Sequence, residues 1–209
     1  GVATRPTIAA LKDRLPVVFG YSGDPVEAGL VESMSRPGRN STGVSMLALE
    51  LVGKRISLLR EVMPRLKRIA VLANPAHSGQ RAEFREASAA AERLGLEMKF
   101  FPVRTAVDFD NAFNAIVQAR IEAMDFFPDS LVINQRKLVA EFSMRERKPA
   151  ISGWGVFAAD GNVMAYGPNF EQAFRQVATH VDRILRGALA ASLPVEYPTR
   201  VEFIVNLRA

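Results

Sequence analysis

The side chains able to do nucleophilic or acid–base work are few in this sequence, and they stand far apart. Ser22 lies in Gly20-Tyr21-Ser22-Gly23-Asp24. That run misses the strained serine elbow Gly-x-Ser-x-Gly by one residue, because Asp24 takes the place of the last glycine. His77, in NPAHSG, and Asp129, in PDS, are the remaining members of a hydrolytic constellation that only the fold could assemble. The other histidine, His180, sits inside AFRQVATHVDRIL, a helical phrase that reads as a surface or interface position. Two such distant histidines give no metal-ligand spacing, and cysteine is absent, which excludes disulfides and thiolate chemistry. No Gly-x-Gly-x-x-Gly follows a strand, and Gly53-Lys54 runs on into Arg55 in mid-helix, so there is no phosphate loop either. What these residues offer is non-covalent recognition, with neither metal nor cofactor.

The elements that must position them follow a regular rhythm of short apolar run, turn and helix. PTIAALKDRL reads as a helix and PVVFG, residues 16–20, as a strand. In LALELVGKRISLLREVM, residues 47–63, the residues Leu51, Val52, Ile56, Leu59 and Met63 share one helical face, and Pro64 ends it. RIAVLA (68–73) is a buried strand, followed by an alanine-rich helix that Gly95 stops. LEMKFFPV is the next strand, and Asp108 stands where an N-cap belongs before FDNAFNAIVQAR. Then come the strand EAMDFF (122–127), one helix LVINQRKLVAEFSMRE, the strands PAISGW and NVMAYG, a long helix NFEQAFRQVATHVDRILRG, and the strand VEFIVN. Strands alternating with helices in this way specify an α/β fold, a doubly wound parallel sheet with helices on both faces.

In such sheets ligands bind beyond the carboxyl ends of the strands. The strand-to-helix loops there carry Ser22 and Asp24, Asn74, His77 and Ser78, Asp129 and Ser130, and Gly153 and Trp154. Small polar residues just before a helix present backbone N–H groups to an anion. Asp24 and Asp129 can accept from a cation, and Trp154 or Tyr21 can stack on a flat apolar ligand part. Taken singly, Ser and Asp in these places are ordinary helix caps. Their concentration at one sheet edge marks the set as a candidate ligand site.

Composition narrows the class further. The chain has 209 residues, 48% hydrophobic and 23% charged, enough to bury a sizeable core. No apolar run approaches the ~18 residues of a membrane span. The opening GVATRPTIAALKDRLP lacks the basic and apolar regions of a secretion signal. The net charge of +5 invites a nucleic-acid reading, but the basic residues are scattered and no basic run with interleaved aromatics occurs. A solvated basic surface is the simpler account, with no nucleic-acid partner.

Longer phrases resemble a known family. PVVFGYSGDPVEAGLVESMSRPGRNSTGVS (16–45), LVGKRISLLREVMPRLKRIAVLANP (51–75), AMDFFPDSLV, KPAISGWGVFAADGNVMAYG and HVDRILRGALAASLPVEYPTRVEFIVNLRA are similar to the ABC-transporter substrate-binding proteins of the type I periplasmic-binding fold. The resembling branch includes tryptophan- and aromatic amino-acid-binding members. The resemblance implies two α/β lobes, the second formed by residues 46–165. Residues 1–45 and 166–209 would form a partial first lobe and the hinge, with RPGRNSTGVS crossing between lobes. It implies that a secretion signal and the opening βαβ units of the family are missing, so the first lobe is incomplete. The function implied is non-catalytic capture of an amino acid-like or aromatic metabolite between the lobes, for ABC permease subunits, in the periplasm. The incomplete lobe could self-associate, with the helix of His180 at the interface. Two other classes share these loops: the ligand-sensing domain of a regulator or receptor, and an α/β enzyme using Ser22, His77 and Asp129.

Overall fold

The computed structural model describes residues 3–11, 14–77, 79–127 and 129–208. They form an α/β protein of two compact units, residues 1–47 with 168–201 and residues 48–167 with 202–209.

In the first unit, α1 (Thr4–Leu11) precedes β1 (Val17–Tyr21), which pairs in parallel with β2 (Ser41–Ser45) in register from Val17 opposite Ser41 to Tyr21 opposite Ser45. Sequence reading treats 36–45 as a crossing segment, yet Ser41-Thr42-Gly43-Val44-Ser45 is a strand with every residue buried. Its hydroxyls find acceptors that lie far along the chain: Ser41 Oγ donates to Leu30 O at 2.5 Å and Thr42 Oγ1 to Leu193 O at 2.7 Å. Gly43 is required, since a Cβ there would run into the backbone oxygen of Phe19 on β1. Phe19, Tyr21, Leu30, Val31 and Val195 make the core, and α8 (Phe170–Leu185) packs on both strands. His180 on α8 is fully buried, not a surface residue. Both ring nitrogens lie 3.0 Å from carbonyl oxygens, those of Gln176 and Pro194.

The second unit holds β3 (Arg68–Ala73), β4 (Glu97–Pro102), β5 (Ala123–Phe126), β6 (Ala150–Ser152), β7 (Met164–Pro168) and β8 (Val201–Val205) in the order β4-β3-β5-β6-β7-β8. Strands β3 to β7 run parallel. Period-two alternation splits the strand side chains between two cores. Ile69, Val71 and Ala73 face α2 (Ala48–Val62) and α3 (Gln80–Arg93), with Val52, Ile56 and Leu59 from α2 and Ala87, Ala90 and Ala91 from α3. Ala70, Leu72, Met124 and Phe126 face α4 (Asp108–Gln118), α6 (Arg136–Arg145) and α7 (Val156–Ala159). There Phe113 and Phe142 stack with ring centroids 4.0 Å apart. The helix expected over 131–146 is two: α5 (Ser130–Asn134) ends at Gln135, and α6 begins after it. Residues 202–209 group with this sheet through β8, whereas the sequence reading assigns them to the first lobe and hinge.

Between the sheet and α2 and α3 lies a buried ionic triad. Arg55 Nε is 3.0 Å from Asp125 Oδ1, and an Arg55 terminal nitrogen is 2.8 Å from Glu83 Oε1, with all three side chains at most 1% exposed. The second oxygens of both carboxylates, Glu83 Oε2 and Asp125 Oδ2, have no hydrogen-bond partner among the described residues.

Candidate functional site

The strand order of the second unit fixes where a ligand can enter. From β3 the chain goes outward to β4, then returns past β3 to β5 and continues in the other direction to β6 and β7. The order therefore reverses between β3 and β5. The connections leaving their carboxyl ends diverge to opposite faces and leave a crevice at this switch point. The loop after β3 carries Asn74 and His77; the loop after β5 carries Asp129 and Ser130.

Asn74 shapes the first loop from within, its Oδ1 accepting from Ala76 N at 2.9 Å and its carbonyl from His77 N at 3.0 Å. The loop turns His77 inward to 6% exposure, with Nε2 unpartnered among the described residues. Burial pushes the His77 imidazole below its ordinary value, while the charge of Asp129 partly opposes that shift. Asp129, also 6% exposed, is the N-cap of α5, with Oδ1 accepting from Val132 N at 2.8 Å. One carboxylate oxygen thus holds the helix start, and the other, Oδ2, is buried without a partner among the described residues. Buried polar atoms are nearly always paired, so two such atoms in adjoining loops, unpartnered among the described residues, make this edge a candidate ligand site.

The other expected residues fall out differently. Ser130 opens α5 and is exposed, and Trp154, beyond β6, is half-buried against the core of α4, α6 and α7. Gly153 is a packing residue: its carbonyl lies where a Cβ on Gly167 of β7 would have to go. Ser78 lies outside the described residues. Ser22 and Asp24 belong to the first unit, beyond β1. Asp24 is exposed and spends Oδ1 on its own turn, accepting from Val26 N at 2.7 Å and Glu27 N at 3.1 Å. Tyr21 is no stacking platform, because its ring is buried beside Phe19 in the core, with the hydroxyl unpartnered among the described residues. Sequence reading missed the triad of Arg55, Glu83 and Asp125. Its visible signal is a carboxylate in the middle of the apolar strand AMDFF, which a buried cation has to answer.

Comparison with known proteins adds the following. The family model described as "ABC transporter substrate binding protein" matches residues 2–209. A tyrosine-binding protein of Clostridioides difficile (strain R20291) is 24% identical over 198 residues, covering 94% of this chain and 56% of that protein. A conserved domain protein from Vibrio cholerae O1 biovar eltor str. N16961 superposes with a TM-score of 0.84 at 24% identity, over 91% of this chain and 63% of that one. The ABC domain in complex with L-Trp from Streptococcus pneumonia gives 0.85 at 21% identity, over 96% and 67%. The chain thus spans little more than half of the curated relative. The structural likenesses, all under 25% identical, establish the shared fold.

Proposed function

This chain belongs to the ABC transporter substrate binding protein family, and from that premise we propose that it serves as a non-catalytic solute-binding component of an importer, with an aromatic L-amino acid as ligand. The observation that carries the reading is a pair of buried atoms without a partner among the described residues, His77 Nε2 and Asp129 Oδ2, at the switch point of the second unit. The ligand class comes from the relatives, one named for binding tyrosine and one crystallised with L-Trp. Asp129 Oδ2 accepts from the ligand ammonium while Oδ1 keeps its cap. His77 Nε2 takes a second polar atom, and Trp154 covers part of the ring. Ser22 and Asp24 of the first unit, and Ser78, stay in the proposal as further ligand-binding residues. The partners in this reading are ABC permease subunits and the compartment is the periplasm. Self-association through α8, which exposes Phe174, Val181 and Leu185, is a further part that sedimentation at raised concentration tests.

Calorimetric titration with L-tyrosine, L-tryptophan and L-phenylalanine, beside Tm measurements, tests the site. Asparagine caps a helix nearly as well as aspartate, so Asp129→Asn should leave Tm almost unchanged. It converts a charge-assisted bond into a neutral one, so affinity should fall by roughly 1.5–3 kcal/mol. Equal affinity in parent and variant removes Asp129 from the site, and a parent that binds none of the three removes the ligand class.

A further inference from the structure

At the opposite edge of the same sheet, where β6 and β7 begin, a cavity of about 410 Å³ lies among Met144, Arg147, Lys148, Pro149, Val163 and Arg208. We propose that this cavity is a second ligand site, one that takes a small organic anion, a carboxylate or a phosphate monoester, with a compact apolar body. The inference does not rest on the reading of the switch-point edge.

Charge is the first argument. Among the described residues, three cations and no carboxylate line the cavity. Nearby on the same helix, Arg136 pairs with Asp160 and Arg145 with Glu146. No carboxylate among the described residues answers the Arg147 or Arg208 guanidinium. Lys148 is anchored rather than swinging in water, because Nζ donates to Ile121 O at 2.6 Å and so fixes a positive charge beside the cavity. Two guanidiniums without a carboxylate partner among the described residues, next to a fixed ammonium, suit an oxyanion, which guanidinium binds in a bidentate fork. Shape is the second argument. The volume is that of a small-molecule pocket, and Met144, Pro149 and Val163 give it an apolar floor that inorganic phosphate would leave unused.

The backbone supplies a clean probe. Arg147 follows the end of α6 at the left-handed position of a helix stop, with φ 51°, Arg147 N donating to Met144 O at 3.2 Å and Lys148 N to Ser143 O at 2.9 Å. Glycine is the usual residue there, so an arginine at this place works against the local conformation. Arg120 holds the same kind of position after α4, with φ 52°. Its presence shows that the fold tolerates arginine at such a stop, and the cavity is what distinguishes Arg147.

The experiment titrates the chain with benzoate, phenyl phosphate and the uncharged benzyl alcohol, by calorimetry and by amide NMR shifts at Gly161 and Val163. Either anion should bind at a single site and shift those amides, and which of them binds assigns carboxylate or phosphate. Affinity should fall at least tenfold in Arg147→Gly and in Arg208→Ala, the loss of one charge-assisted contact. Arg147→Gly suits its backbone, so its Tm should equal or exceed that of the parent, which separates lost binding from lost folding. No binding of either anion at roughly 10 mM, beyond the weak millimolar range, overturns the proposal. So does benzyl alcohol binding as tightly as the anions, or anion affinity unchanged in both variants. Trp154 stands at the other edge of the sheet, so a change in its fluorescence that survives Arg147→Gly assigns the binding there and also overturns it.

Discussion

Glu83→Gln should remove a pH dependence that the buried triad builds into the stability of the second unit. Arg55 faces two carboxylates in a site at most 1% exposed, so full ionisation would leave one negative charge unanswered. Burial pushes the Glu83 carboxyl up to about 8, against the attraction of Arg55, and the charge of Asp125 adds to the rise. Asp125 is raised as well, again chiefly by burial. A carboxyl whose folded pKa lies above its unfolded value of 4.5 holds a proton in the native state that the unfolded chain has already lost. Its contribution is full below that unfolded value and is lost as pH rises through about 8. One proton corresponds to about 1.4 kcal/mol per pH unit at most, so between about pH 6 and pH 8 the parent should lose roughly 2 kcal/mol. Glutamine keeps the acceptor for Arg55 and cannot ionise, so the variant should lack that loss and overtake the parent near pH 8. His77 acts with the opposite sign. Its lowered pKa makes stability fall as pH drops below 6.5, but equally in both proteins. Urea unfolding at several pH values, followed by Trp154 fluorescence and circular dichroism, measures the difference. Parallel pH profiles for parent and variant would refute the reasoning.

The remaining predictions use the same methods. Arg55→Met takes the one cation from the buried acids Glu83 and Asp125, and at neutral pH should cost about 3–5 kcal/mol, far more than Glu83→Gln; a loss under about 1 kcal/mol would show that water reaches the triad. Gly43→Ala drives a methyl into the Phe19 backbone, and Tm should fall by more than about 4 °C, against no change if β1 and β2 can separate without cost. Asp129→Ala should cost about 1 kcal/mol through the lost cap of α5, and Asp129→Asn should restore it. Equal Tm for the two variants would mean that the cap contributes nothing.

What the sequence reveals of this fold is what local pattern can carry. RIAVLA and AMDFF are short, apolar and bounded by turns, and the helices between them carry their faces at helical spacing, so the parallel sheet and its two covering layers could be read directly. Ser41–Ser45 could not, because its serine and threonine hydroxyls are satisfied by Leu30 and Leu193, partners that adjacency in sequence does not reveal. Gln135 breaks one apparent helix into two with no proline or glycine to announce it. Asp108 reads as a cap for the helix it opens, yet Oδ2 reaches backward to Arg104 N and Thr105 N at 2.8 and 2.9 Å. At the site, residue type alone nominated His77 and Asp129 together with Asp24 and Gly153. Only strand order placed the first two at the reversal, and only the hydrogen bonds showed that Asp24 serves its own turn.

The second unit is interrupted in sequence: the chain leaves it after residue 167 and comes back at 202 to lay β8 along the sheet. During synthesis on a ribosome, β7 must therefore wait with an open edge while the whole 168–201 excursion is translated. An exposed strand edge is a template for pairing with any other chain that presents one. The late arrival of Val201–Val205 leaves the nascent sheet open to such pairing until those residues are made. It also ties the sheet's completion to Val201–Val205, so a stop after residue 200 would release a product with most of this core built and one adhesive margin.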